Sequence, residues 1–231
     1  MKPTLDMETP PLEPHTTPSS SHAWAGAVRL AVWLVALAAC AGLAGCGLFR
    51  PAPPVERRFV LTPLPAAGAM TATPGALALG IGPVKLPPYL FSTSLAVRKG
   101  TNEVEYLPSV LWAERLDKGL QRVLAANLST LLPTDQIRLG AWQSNAVGAE
   151  AYVTIGQFDV DAVGHGTLVA WWRILAPGGE KILKAGETRL TREGPPPHLN
   201  PTGAFATLSE LAADFSRQLA QAIKETTPPA Q

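Results

Sequence analysis

The sequence predicts one α+β domain: a mixed β-sheet with two amphipathic helices packed on one face. Three observations carry that expectation. Several short segments place apolar residues at every second position, as half-buried strands require. Two longer segments, 109–131 and 204–224, place them at spacings of three and four, which makes a stripe along a helix. The segments run strands, helix, strands, helix, an order that suits strands gathered in one sheet under a helical layer.

The first strand is expected at 57–61, Arg57-Arg58-Phe59-Val60-Leu61. Pro63, Pro65, Gly68, Pro74 and Gly75 then make a loop, because proline and glycine break regular structure. A second strand is expected at 76–84, with Leu77, Leu79 and Ile81 in alternation and Pro83 closing it, since proline cannot donate to a ladder. Segments 95–98 and 104–107 flank a Gly-containing loop of hairpin length. From Ser109, a candidate N-cap, the period turns helical: Trp112, Leu116, Leu120, Val123, Leu124, Asn127, Leu128 and Leu131 share one stripe, and Pro133 ends it. Glu114, Asp117, Lys118, Gln121 and Arg122 fall on the opposite face, which reads as solvated.

The middle of the domain reads as a three-strand meander at 151–163, 167–175 and 180–191. Gly164-His165-Gly166 and Pro177-Gly178-Gly179 supply the tight turns. Leu208, Leu211, Ala212, Phe215, Leu219 and Ile223 then form the stripe of a last helix, stopped before Pro228-Pro229. Residues 226–231 are expected to be a disordered tail.

The N-terminal part carries a different signal. Residues 23–48 contain one charge, Arg29, followed by the apolar run 30–39 and then Leu43-Ala44-Gly45-Cys46. That order is a secretory signal, and a Leu-type residue and two small residues before cysteine are what lipoprotein processing requires. Residues 1–45 are therefore read as a lipoprotein-type signal peptide, Cys46 as the lipidation site, and 46–56 as the lipidated cysteine and a Pro-rich tether. Residues 57–225 are read as the folded domain. Leu37-Ala38-Ala39-Cys40 is a second match, but cleavage there would leave an apolar tail, so Cys46 is preferred. An uncleaved membrane helix would fit the length, a bilayer core being about 30 Å thick; its Gly and Ala content and the placed cysteine argue against it. Residues 1–22 lack a basic n-region, and a start at Met7 or later suits a signal better. Two or three acyl chains, at about 0.8 kcal/mol per buried CH₂, hold a protein stably on a membrane. Gly47, rather than Asp, follows the cysteine, so the periplasmic face of the outer membrane is the expected location, with inner-membrane retention as the alternative.

Charge points to no polyanion. Nineteen basic residues balance 18 acidic ones along the chain, so no nucleic-acid partner is expected. Both cysteines, Cys40 and Cys46, lie in the N-terminal segment, which leaves the domain without a thiolate nucleophile or a thiolate metal site. No Gly-x-Ser-x-Gly, Walker or His-Glu-x-x-His motif is present, and Gly80-Ile81-Gly82 is too short for a dinucleotide fingerprint. His165 and His198 sit in Gly- and Pro-rich turns and read as solvated. Asp159 and Asp161 project to the same strand face, either as a carboxylate pair or, more commonly, as part of a polar outer face. No catalytic residue, metal site or cofactor is expected. Trp171-Trp172 lies in a strand apolar on both faces, which is either covered twice or part of an interface.

Gly82-Pro83-Val84-Lys85-Leu86-Pro87-Pro88-Tyr89-Leu90, then Leu111-Trp112-Ala113-Glu114-Arg115-Leu116 and Val123-Leu124-Ala125-Ala126-Asn127-Leu128, resemble the PqiC family of ABC-type transport auxiliary lipoproteins. The resemblance covers roughly 57–225. Phe91-Ser92-Thr93-Ser94 departs from it, standing where an Asp-Arg-Pro-Gln type of sequence is expected. It implies a non-enzymatic, membrane-anchored periplasmic component that works with an MCE-domain protein of an ABC lipid transporter, and a homo-oligomeric ring. It also makes Pro87-Pro88-Tyr89-Leu90 an exposed rigid loop; the alternative is that Tyr89 and Leu90 plug the sheet edge. Pro87, Tyr89, Leu90 and Trp171 are thus the candidate partner contacts.

Overall fold

The computed structural model describes residues 28–36, 55–66, 78–132, 134, 136–143 and 146–226. Cys40, Cys46, the residues around them, most of the tether and the tail from 227 onward lie outside the described residues. The chain divides into two compact units, Met1–Pro53 and Pro54–Gln231. Within the first, residues 28–36 are helical and exposed, overlapping the apolar run 30–39 of the expected signal. No helix among the described residues is long and apolar enough to cross a membrane.

The second unit is the predicted α+β domain. Its strands are β1 (Arg57–Phe59), β2 (Leu79–Ile81), β3 (Ser94–Arg98), β4 (Val104–Trp112), β5 (Ile137–Leu139), β6 (Ala149–Asp161), β7 (Gly166–Leu175) and β8 (Ile182–Arg192). Its helices are α1 (Leu116–Leu131) and α2 (Pro201–Thr226), with a short 3₁₀ turn at Pro88–Phe91. All eight strands form one sheet with β6 as its spine. On one side β6 pairs antiparallel with β7, and β7 with β8. On the other side its N-terminal end pairs parallel with β2, which pairs with β5. Its C-terminal end pairs parallel with β3, followed by β4 and then β1.

Alternation along these strands defines the inner face. Ala151, Val153 and Ile155 of β6 and Leu168, Ala170, Trp172 and Ile174 of β7 are buried against the helices. Leu120, Val123, Leu124 and Leu128 of α1 and Leu208, Leu211, Phe215 and Leu219 of α2 complete the core. Truncating a side chain as buried as Leu128 to Ala costs about 2–5 kcal/mol.

Several boundaries differ from expectation, each for a tertiary reason. Ser109 is not an N-cap: the strand β4 continues to Trp112, and α1 starts at Leu116 after Arg115. Helix-like spacing at 109–112 yields to pairing with β3 and β1, since strand preference is set by neighbours. Pro108 is tolerated there because a register shift skips 108–110 on the β3 side. Gln121 is not on a solvated face. It is buried and donates to the Ile81 and Gly82 carbonyls, satisfying acceptors where β2 ends. The first strand stops at Phe59, and the second covers Leu79–Ile81 among the described residues, each with three paired residues, while 67–77, which hold most of the expected loop and the start of the expected second strand, lie outside the described residues. β5 was not foreseen. The last helix starts earlier, at Pro201, where Asn200 accepts from the Gly203 N–H through Oδ1. It also runs one residue into the expected tail, ending at Thr226.

After β1 the chain leaves the sheet and crosses the helices as an extended strap, 60–66. No ladder satisfies its backbone, so side chains do so. Arg122 Nη2 donates to the Leu61 carbonyl (3.1 Å), the Thr62 N–H donates to Ser209 Oγ (3.1 Å), and the Leu64 N–H donates to Asn127 Oδ1 (2.7 Å). Asn127 is fully buried, and its Nδ2 donates to Ser216 Oγ (3.0 Å), which ties the strap to both helices.

Candidate partner-binding face

The helices cover one side of the sheet, leaving the other as an outer face. Asp159 projects to that side from β6 and is 1% exposed. It survives there as a hub: Oδ2 accepts from the Tyr89 hydroxyl (2.8 Å) and Arg98 Nη2 (2.8 Å), and Oδ1 accepts from Gln157 Nε2 (2.8 Å) and Arg98 Nε (3.4 Å). The Arg98 guanidinium also lies over the Tyr89 ring at 5.8 Å. Burial, then the Asp159 charge, pushes the Tyr89 phenol well above its ordinary pKa. Its hydrogen bond to Asp159 likewise raises that of Arg98.

This hub fixes the Pro87–Phe91 segment. Tyr89 is half-buried, its carbonyl accepts from the Tyr106 hydroxyl (2.9 Å), and Leu90 is 3% exposed within the core. Leu90 therefore plugs the fold, whereas Pro87 and the Tyr89 edge keep some surface. Phe91, the first residue of the departing segment, is 55% exposed, with the Arg115 guanidinium 5.8 Å from its ring. It borders a 480 Å³ cleft with Arg58, Trp112 and Arg115. Phe91 is not among the contacts expected from the sequence, where it figures only as the start of the departing segment; an aromatic next to a Pro-Pro-Tyr-Leu turn is the signal that marks it.

Asp161 does not join Asp159. Its Oδ1 accepts from the N–H groups of Val163, Gly164 and His165, and its Oδ2 is 3.0 Å from the His165 ring. Burial pushes this carboxyl up, but those bonds outweigh it and hold it below the usual range. The carboxylate-pair reading is thereby resolved: one builds a turn and the other a hub. His198 lies 3.6 Å from Glu105 of β4, which also pairs with Lys99. No cluster of three His, Cys, Asp or Glu among the described residues could hold a metal ion.

Trp171 and Trp172 divide as neighbours on a strand must. Trp172 is buried inward and its Nε1 donates to Thr188 Oγ1 (3.1 Å). Trp171 points outward and is 48% exposed. β7 is central, yet on its outer side Val169 and Leu175 are buried while Trp171 and Arg173 are not. Three outer aromatic rings pack closely against glycines. A methyl group at Gly80 would stand 2.6 Å from the Trp142 ring, one at Gly82 2.5 Å from Tyr152, and one at Gly156 2.5 Å from Trp171. Glycine is needed at these positions for close approach.

The sequence pattern is that of an auxiliary component of ABC-type transport systems. The chain belongs to the family of ABC-type transport auxiliary lipoprotein components, whose model matches residues 59–220. It is 35% identical over 104 residues to the intermembrane transport lipoprotein PqiC of Escherichia coli strain K12, covering 44% of this chain. That match spans about half the length of the relative, 52%. Among solved structures, an uncharacterized protein covers 73% of this chain and 99% of its own (TM-score 0.59, 18% identity). Protein XCC0632 from Xanthomonas campestris covers 74% and 100% (TM-score 0.59, 10% identity). These two share the fold.

Proposed function

We propose that this chain is a lipid-anchored, non-enzymatic accessory subunit of an ABC lipid transport system, working with an MCE-domain protein to move lipid between the inner and outer membranes. The observation that carries the reading is membership of the auxiliary lipoprotein family in a chain whose sequence also holds Leu43-Ala44-Gly45-Cys46. Cys46 carries the acyl chains and holds the domain at the periplasmic face of the outer membrane, and copies assemble into a homo-oligomer. The open outer face supports a docking role, with Trp171 and the Pro87–Tyr89 turn as contacts and Leu90 acting from within to shape that turn.

The test is to label cells with a fatty-acid probe, crosslink, isolate the protein and identify acylation and partners by mass spectrometry, comparing wild type with Cys46→Ala. Acylation lost in the variant and an MCE-domain protein among the wild-type partners are the expected results. Outer-membrane assembly proteins in place of that partner would replace transport with an envelope-assembly role; an unacylated wild-type Cys46 would overturn the anchor.

A further inference from the structure

We propose that the groove between the strap and α2 holds one acyl chain of a phospholipid, with Arg57 at its mouth taking the phosphate. The ligand class rests on the lipid-transport reading; the new content is that this subunit itself touches the lipid, at a named place. The groove has a volume of about 410 Å³ and is walled by Phe59, Val60, Leu64, Phe205, Ala206 and Ala213. That is near the small end of the range of about 300–1,000 Å³ for ligand pockets, room for a single chain rather than a whole lipid. Phe59 and Phe205 stack at 4.3 Å between centroids, which gives the groove a rigid aromatic wall.

Thr62, Thr202, Ser209 and Glu210 are the polar lining residues, and Arg57 stands at the Thr202 end. Arg57 Nη2 donates to Oγ1 of Thr202, a lining residue, and its guanidinium lies 5.2 Å from the Phe59 ring centroid. No carboxylate among the described residues is within ion-pair distance of Arg57. The lining acid, Glu210, is already neutralised by Arg192 at 3.0 Å, and Ser209 is occupied by the strap. An apolar trench whose mouth holds a hydroxyl and a guanidinium with no carboxylate partner among the described residues is complementary to a chain that ends in a phosphate ester.

The experiment uses the full chain in cells fed a diazirine fatty acid that is built into their phospholipids. After irradiation, adducts are mapped by mass spectrometry in wild type, Ala206→Trp, Arg57→Glu and Ala206→Ser. Ala206 is exposed on α2, so tryptophan fills the groove without entering the core, and a thermal melt confirms the fold of each variant. Phospholipid-mass adducts are expected on peptides holding residues 59–65 and 202–213, falling roughly tenfold in Ala206→Trp and Arg57→Glu and persisting in Ala206→Ser. Adducts spread over the surface, adducts insensitive to Ala206→Trp, or groove adducts whose mass shows only the chain on Cys46 would overturn the proposal. Groove adducts without an MCE-domain partner would retain the lipid site and remove the transport reading, and the partner without groove adducts would do the reverse.

Discussion

Replacing Asp159 by alanine removes the acceptor for four hydrogen bonds at a site with 1% exposure, and leaves Arg98 and Tyr89 to find other partners. Breaking a buried ion pair from one side costs about 3–5 kcal/mol. The Arg98 side chain is 26% exposed and can turn toward water, which places the expected loss at the low end, about 3 kcal/mol. For a domain of this size each kcal/mol moves the midpoint by about 2–4 °C, so Tm should fall by about 6–12 °C. Thermal and urea unfolding at pH 7, followed by circular dichroism, measure it. Arg98→Met and the double variant complete a cycle. The double variant should lose clearly less than the sum of the singles, because no charge is then stranded. A loss below about 1 kcal/mol for Asp159→Ala, or additivity of the two singles, would refute the view of Asp159 as the hub of this face.

Tyr89→Phe should cost about 1–2 kcal/mol at pH 7. It should also flatten the alkaline limb of stability: with the folded phenol pKa raised, stability is fully present below the unfolded value near 10 and lost as pH rises above it, at up to about 1.4 kcal/mol per pH unit. Urea midpoints of both proteins from pH 7 to 11 show this. Asn127→Leu, which makes the α1 stripe wholly apolar, should destabilise by about 1–3 kcal/mol, since the Leu64 N–H and Ser216 lose their partner; equilibrium unfolding checks the sign. Trp171→Ala should cost about 1–3 kcal/mol, because the half-buried ring covers Gly156, and should reduce crosslinking to the transport partner in protein that remains folded, read by comparing a melt with a pull-down.

The elements with unbroken periodicity were legible in the sequence. The meander turns lie where the glycines stand, with Gly164, Gly178 and Gly179 all at positive φ. The stripes of both helices are the ones the core uses. What escaped was decided by partners distant in the chain. Residues 109–112 carry a helical spacing but are claimed by strands on both sides, and Ile137–Leu139 becomes a strand because β2 offers an edge. Gln121 and Asn127 have ordinary helix-surface and stripe positions, and only the strap and the β2 carbonyls explain why they are buried. The hub joins Tyr89, Arg98 and Asp159, up to 70 positions apart, so no local pattern announces it.

The aromatic rings resting on Gly80, Gly82 and Gly156 also constrain how this sequence can drift. A glycine in such a pair cannot gain a side chain while the ring above it remains, and losing the ring first uncovers a strip of backbone. Each route between viable sequences thus passes through a less fit intermediate, so pair members should be lost or kept together across descendants. Among related chains, Gly80 with Trp142, Gly82 with Tyr152 and Gly156 with Trp171 should behave as three heritable units rather than six independent positions.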